Sequence, residues 1–149
     1  MPANYALYVT STDRLPEEQM RLIGGAAQPT IVATDRGPMF EYRWPDLVVR
    51  VRQMPIAELP QHLNGFEGYV RMQIYKGRIP PRGVEIINRI RSVQLAVGFE
   101  ADPDLDAEGR AEEILARLCG GLKPLMFFWD ALYEFDGRLL LGPDGSFQA

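Results

Sequence analysis

The sequence has very little of two residue types on which much catalytic and stabilising chemistry depends. Its 149 residues include one cysteine, Cys119, and one histidine, His62. An intrachain disulfide is therefore excluded, which suits a reducing compartment, and so is a zinc site built from several histidines and cysteines. We interpret Cys119 as a core residue on the apolar side of a helix, and His62 as a surface or helix-cap residue.

Recognisable functional motifs are missing as well. The three serines, at positions 11, 92 and 146, lie outside any G-x-S-x-G elbow, and neither the Walker phosphate loop nor a dinucleotide-binding G-x-G-x-x-G is present. No window approaches the roughly 18–20 apolar residues of a transmembrane helix, and the first ten residues lack a signal-peptide pattern. We therefore predict a cytoplasmic, bacterial protein with no cofactor and no bound metal, and the balance leans against an enzyme.

Charge is present in both signs but is distributed unevenly. The net charge is −4, which argues against a general nucleic-acid binder. Residues 36–91 hold ten Lys/Arg and five Asp/Glu, whereas residues 92–149 hold four Lys/Arg and eleven Asp/Glu. This segregation predicts a basic face and an acidic face. Such faces either solvate the two ends of the fold or meet a charged protein partner.

Hydrophobic periodicity predicts a mixture of strands and helices. Apolar runs and alternation favour strands at 5–9, 29–34, 93–99 and 125–129, and helical spacing favours helices at 16–23, 82–91 and 106–120. Residues 62–76 fit either state, and we favour helix. The most apolar stretch, 125–141, continues into a hairpin closed by Asp136-Gly137. We predict one α+β domain over residues 1–149, with an antiparallel or mixed sheet and helices packed mainly on one face.

One hairpin has a readable register. A turn at residues 44–47 sets Tyr42 opposite Val49 and Phe40 opposite Val51, so these four apolar residues share one face. The other face then carries charged side chains, which we predict to bind a protein partner or a second copy of the chain: Glu41, Arg43, Arg50 and Arg52. Binding of RNA is disfavoured, because the nearby aromatic residues point away from the arginines.

The alternative hypothesis is an enzyme or small-ligand-binding protein. It places a pocket between the sheet and the helices of residues 54–91. Glu134 is the candidate acid–base residue, because it interrupts an otherwise apolar strand and a positioned carboxylate commonly acts as a general acid or base. The side chains that would line this pocket are His62, Trp129, Tyr133 and Glu134.

An acidic segment partly matches a calcium-binding loop. Asp102, Asp104, Asp106 and Glu113 occupy positions 1, 3, 5 and 12 of that template. The sixth position, which requires glycine for a sharp turn, is Ala107. We therefore favour a helix-capping role for Asp106, and calcium binding remains the alternative.

The chain is acidic, contains few recognisable motifs and has many aromatic residues in its predicted strands. It is similar in this respect to small bacterial α+β proteins that act as toxin-neutralising (immunity) or adaptor modules. That similarity implies a non-enzymatic, cytoplasmic protein-binding domain.

Overall fold

A computed structural model describes residues 3–23, 28–77, 80–103 and 106–142 of the chain. Within these residues the strands are β1 (Ala3–Val9), β2 (Thr30–Thr34), β3 (Gly37–Trp44), β4 (Leu47–Gln53), β5 (Leu95–Asp102), β6 (Leu125–Phe128), β7 (Ala131–Tyr133) and β8 (Leu139–Leu141). The helices are α1 (Glu17–Ile23), α2 (Leu59–Gly77), α3 (Pro80–Arg91) and α4 (Arg110–Leu122). A short 3-10 turn, Ile56–Glu58, leads into α2.

The strands form one antiparallel sheet in the order β2-β3-β4-β5-β1-β6-β7-β8. This confirms the predicted α+β class and the antiparallel form of the sheet. Residues 62–76 lie within α2, so the preference for helix is confirmed. Gly65 and Gly68 lower the intrinsic helix propensity of this segment, and packing of its apolar side compensates for them.

The register of the β3–β4 hairpin agrees with the prediction pair by pair. Tyr42 pairs with Val49 and Phe40 with Val51. The turn between the strands is Pro45-Asp46, because proline presets the first turn position and cannot continue a strand ladder. The alternation of apolar and charged residues therefore identified both the turn and the two faces of this hairpin.

Of the four helices in the described residues, two lie over each face of the sheet, and not mainly on one face as predicted. Residues of α1 and α4 form one buried cluster with Leu7 and Val9 of β1. Residues of α2 and α3 form the other buried cluster with Tyr8 of the same strand. Both sides of β1 are thus buried. Ala96 of β5 is buried in the same cluster as residues of α2 and α3, so β5 is also covered on this side.

The pair α2 and α3 covers only one part of its face. Its apolar cluster includes residues of β1, β6, β7 and β8, whereas β2, β3 and β4 contribute no side chain to it. On this side of the sheet, β3 and β4 instead carry the predicted charged residues. We call this uncovered region, with the adjoining parts of β5 and β1, the open sheet face.

The stretch 125–141 contains one more turn than predicted. Its strand ends at Phe128, and a two-residue turn, Trp129-Asp130, leads directly into β7. The hairpin predicted around Asp136-Gly137 is confirmed, but its connection is longer than the predicted two-residue turn, because β7 ends at Tyr133 and β8 begins at Leu139. Gly137 adopts a φ of 90°. A positive φ favours glycine at that position.

The acidic segment before α4 serves the start of that helix. Asp106 accepts a hydrogen bond from the backbone N–H of Arg110, at 2.6 Å, and contacts the Arg110 guanidinium at 2.9 Å. The helix begins at Arg110, later than predicted, and its N-cap residue is Gly109, in a left-handed conformation, and not Asp106. Asp104 lies outside the described residues. The described part of the chain contains no group of three or more potential metal-binding side chains.

No helix within the described ranges has the length and apolar character needed to cross a membrane.

Candidate functional site

Two rows of side chains cross the open sheet face from strand to strand. The register of four strands sets one row in the order Glu41, Arg50, Glu100 and Asn4. The neighbouring row, which reaches β6, contains Met39, Arg52, Gly98, Ala6 and Phe127. The first row is charged. The second is apolar except for Arg52 and has two very small residues at its centre.

The charged row forms a chain of ion pairs with alternating sign. Glu41 accepts hydrogen bonds from Arg43 at 2.9 Å and from Arg50 at 3.1 Å. The other side of Arg50 approaches Glu100 at 3.8 Å, and Arg52 approaches the same carboxylate at 3.9 Å. The arginines, Arg43 first and then Arg50, hold the pKa of Glu41 below its ordinary value. The Glu41 carboxylate therefore stays charged at neutral pH.

The members of this network differ in how far they reach into solvent. Only 14% of the Glu41 side chain is exposed, whereas the side chains of Arg43 and Arg52 are 62% and 57% exposed. Arg50 lies between two glutamates and is less exposed than either of those arginines. Two guanidinium groups at the ends of the network are therefore accessible to a partner, and the carboxylates between them are mostly covered.

The second row forms the floor of a groove. Gly98 and Ala6 leave a depression, and the aliphatic stem of Arg52 lies 3.5 Å from where a Cβ on Gly98 would be. Depressions of about 490 Å³ and about 400 Å³ meet here, because both are lined by Ala6, Arg52 and Gly98. The two depressions adjoin at these shared residues, and we call them together the sheet groove.

Trp129 stands at one end of the sheet groove. Its side chain is 83% exposed, and its ring stacks on Phe128 at a centroid distance of 5.5 Å. Phe128 in turn stacks on Tyr5 at 4.0 Å, and Tyr5 packs against the cluster beneath α1 and α4, so the indole lies at the edge between the open sheet face and the opposite face. The backbone φ angles of Trp129 and Asp130 are 51° and 59°, a left-handed conformation that side chains other than glycine rarely adopt. This turn therefore holds a large aromatic ring in solvent.

A buried tyrosine and the single histidine lie at the other end. The hydroxyl of Tyr8 and Nε2 of His62 are 2.8 Å apart, and the two rings stack at 5.7 Å. Burial raises the pKa of Tyr8 above its ordinary value. His62 is half-buried and is therefore not a fully exposed surface residue. Its position on α2 follows from the helical spacing that buries Phe66 and Val70 on the same side.

The predicted partner-binding residues occupy a single surface. Glu41, Arg43, Arg50 and Arg52 all lie on the open sheet face, which also carries Glu100. Glu100 was not among the predicted residues, because its pairing with Arg50 depends on the order of the strands and not on local alternation.

The four residues of the alternative pocket do not come together. His62 and Trp129 line opposite ends of the sheet groove. Tyr133 pairs with Met126, which packs against the cluster beneath α1 and α4 on the opposite face of the sheet. Glu134 forms two hydrogen bonds with Arg89 of α3, at 2.6 and 2.7 Å.

The ion pair with Arg89 explains why a glutamate follows an apolar strand. The Arg89 guanidinium lowers the pKa of Glu134, and Arg138 adds to the effect. The pair joins α3 to the β7–β8 hairpin, a contact between distant parts of the chain that periodicity does not reveal. Glu134 is thus a carboxylate held in its charged form, which makes it a weak general acid.

Cys119 offers no nucleophile. It is buried, its sulfur lies 3.4 Å from the sulfur of Met126, and burial raises its thiol pKa to about 11. The interpretation of Cys119 as a core residue is confirmed by this burial.

Sequence reasoning missed two features of the site, and only the first of them has a local sequence signal. Gly98 and Ala6 are small residues within strands, a pattern that also marks close approach of another backbone or ligand. Trp129-Asp130 precedes Ala131 with no glycine or asparagine, so nothing local indicated a tight turn.

Comparison with models of known protein families, with curated proteins and with solved structures finds no match for this chain.

Proposed function

We propose that this chain is a non-enzymatic, cytoplasmic protein-binding domain, and that its protein partner lies along the sheet groove. The observation that carries the proposal is Trp129, an indole 83% exposed to solvent at the end of a charged, uncovered sheet face. Tryptophan and arginine are enriched among the residues that dominate binding energy at protein interfaces.

The backbone around Trp129 supports this role. Two consecutive left-handed residues other than glycine destabilise the fold by roughly 1–2 kcal/mol each, and a tight turn of this type would be most stable with Asn-Gly. Packing of the exposed indole offsets little of this destabilisation, because the only aromatic ring that it stacks on among the described residues is Phe128. A partner that covers the indole would bury its apolar surface, and this burial would contribute favourable free energy to binding.

The arginines indicate the chemistry of the partner. Arg43 and Arg52 present exposed guanidinium groups, whereas Arg50 is held between Glu41 and Glu100. A partner surface with an apolar side chain for Trp129 and carboxylates for these two arginines complements the sheet groove. Guanidinium groups bind carboxylates with two parallel hydrogen bonds, which adds specificity to the contact.

We further propose that the domain serves as a bacterial immunity (toxin-neutralising) or adaptor protein. Its acidic, motif-poor sequence supports this class, and within the described residues the single histidine is hydrogen-bonded to a tyrosine and not to a serine, threonine or cysteine. A toxin or secretion effector encoded by the neighbouring gene would support the immunity role, and an unrelated neighbour would count against it.

Affinity capture from a bacterial lysate tests the proposed surface. The immobilised wild type is compared with Trp129→Ala and Arg52→Glu, and captured proteins are quantified by mass spectrometry. We expect each variant to lose at least about 10-fold of the specific partner, which corresponds to about 1.4 kcal/mol. Arg50→Glu is avoided because it would create three adjacent carboxylates in the network and would disturb the sheet itself.

Arg21→Glu is the matched control. It makes the same charge change on α1, on the other side of the sheet, where the ion pair of Arg21 among the described residues is an exposed contact with Glu17. It should capture the partner as the wild type does, and circular dichroism melting should show that all variants are folded. Equal capture by the wild type, Trp129→Ala and Arg52→Glu would overturn the proposal.

A further inference from the structure

The strand β2 forms one outer edge of the sheet. Within the described residues it pairs only with β3, and four of its five residues are exposed. Ile31 in the middle of the strand is 38% exposed. One side of this strand therefore carries backbone groups that face no other strand in the described part of the chain.

The register shows which backbone groups these are. Ala33 pairs with Pro38, and proline has no N–H, so this pair cannot exchange two hydrogen bonds. Hydrogen-bonded pairs alternate with pairs that are not hydrogen-bonded, and the Ile31–Phe40 pair is consequently also of the second kind. The N–H and C=O groups of Ile31 and Ala33 thus point away from β3, toward the free edge.

This edge lacks the features that usually prevent pairing with another chain. Protected edges carry charged residues, prolines or bulges, or are very short. β2 reads Thr-Ile-Val-Ala-Thr, without charge or proline, and its register with β3 is continuous over all five pairs. By contrast, the opposite edge strand β8 has three residues and an irregular register with β7.

We propose that β2 pairs antiparallel with β2 of a second copy of this chain, with Val32 on the two-fold axis. Val32 then lies opposite Val32, and Thr30 lies opposite Thr34, a favourable cross-strand combination. Ile31 lies opposite Ala33, and these two exchange backbone hydrogen bonds through the groups that point outward. The strand is complementary to itself, and the pairing sets no like charges opposite one another. These properties favour a second copy over an unrelated strand.

The geometry has a consequence for the open sheet face. A two-fold axis between antiparallel strands is perpendicular to the sheet, so both copies present the same face on the same side. The two eight-stranded sheets become one continuous sheet, with the two sheet grooves side by side. The proposal does not depend on the function proposed above, because it uses different residues and backbone groups.

The dimer is expected to be weak and dependent on concentration. Two paired strands of five residues bury less surface than the roughly 1,200–2,000 Å² of a standard stable interface. Sedimentation equilibrium from about 10 µM to about 1 mM, a range that covers weak complexes, should show the average mass rising from one chain toward two. A single-chain mass over the whole range would overturn the proposal.

Charge substitutions at the axis test the predicted register. Val32→Lys places two lysines opposite each other, and Val32→Glu places two glutamates there, so each variant alone should remain monomeric. An equal mixture of the two should restore the dimer, because opposite charges then meet at the axis. Leu22→Lys, at a residue 71% exposed on α1, should dimerise as the wild type does.

The mixture experiment separates this inference from loss of folding and from the partner groove. Unfolded variants would not recover a dimer on mixing, and a mixture that stays monomeric counts against the β2 contact. Dimerisation of Val32→Lys alone would count against it equally. Trp129→Ala and Arg52→Glu should dimerise normally, whereas Val32→Lys should retain partner capture, so either proposal can fail without the other.

Discussion

At the scale of single residues, the turn at Trp129 and Asp130 is the clearest departure from what local sequence favours. Both residues adopt left-handed backbone conformations, which asparagine and glycine adopt at much lower cost. The turn is nevertheless closed by a regular Phe128–Ala131 pair. Sequence-level rules tend to fail at functional sites, and this turn lies where the proposed partner would bind.

Replacing Trp129-Asp130 by Asn-Gly should therefore stabilise the fold while it weakens binding. We expect the free energy of unfolding to rise by about 1–3 kcal/mol, because both left-handed residues become favourable. Urea denaturation monitored by circular dichroism measures this change, and partner capture measured in parallel should fall as it does for Trp129→Ala. A decrease in the free energy of unfolding would contradict this expectation, because it would show that contacts of the indole stabilise the fold by more than the left-handed backbone destabilises it.

Asp106 is a residue whose charge matters for stability. The hydrogen bonds from Arg110, with backbone N–H groups, hold its pKa at about 2, below the ordinary 3.8. Since the folded-state pKa is depressed, the stabilisation is fully present above about pH 4 and is lost as pH falls toward about 2. Asp106→Asn should lower the free energy of unfolding at about pH 7 by about 1–2 kcal/mol.

The pH dependence distinguishes this charge effect from a simple loss of packing. The difference in unfolding free energy between wild type and Asp106→Asn should shrink between about pH 4 and about pH 2. Glu108→Gln is the control, because the ion pair of Glu108 within the described part of the chain is an exposed contact with Arg110 at 3.5 Å, and its loss should change stability by less than about 1 kcal/mol. A difference that stays constant down to about pH 2 would contradict the assignment.

At the scale of elements, α2 and α3 pack tightly against each other at Gly83. A Cβ atom added there would lie 2.6 Å from Cγ2 of Ile74, closer than van der Waals contact allows. Gly65, in the middle of α2, has no neighbouring atom within 4 Å of the same position. The two glycines thus have the same intrinsic helix propensity and opposite surroundings.

Alanine substitutions at these glycines should change stability in opposite directions. Gly65→Ala is expected to raise the free energy of unfolding by up to about 1 kcal/mol through helix propensity. At Gly83 the overpacking against Ile74 outweighs that gain, and we expect a loss of about 1–2 kcal/mol. Thermal and urea denaturation of both variants measure the difference, and stabilisation by Gly83→Ala would show that the two helices can separate without cost.

The elements themselves were largely predictable, because each depends on local patterns. The β3–β4 register followed from alternation around Pro45-Asp46, and α4 followed from a single apolar stripe that is buried as predicted. The predicted ends of these elements were less accurate: α4 begins later and β6 ends earlier than predicted. These ends depend on backbone conformations at Gly109 and Trp129 that no periodic pattern records.

At the scale of the whole molecule, the order of the strands decides which charges meet. β1 lies between β5 and β6, although it is separated from both by most of the chain. This arrangement sets Glu100 beside Arg50 and Gly98 beside Ala6. The ion network and the sheet groove are therefore products of the topology, and the proposed β2 dimer would extend the same surface across two chains.

The sequence by itself determined the α+β class, the β3–β4 hairpin and the shared face of Glu41, Arg43, Arg50 and Arg52, because alternation and helical spacing act between near neighbours. Only the tertiary structure decided that helices cover both faces, that part of one face stays open, and that Trp129 joins Arg52 at one groove. Those outcomes depend on packing between segments that are distant in sequence. Such packing produces no periodic pattern in the chain from which it could be predicted.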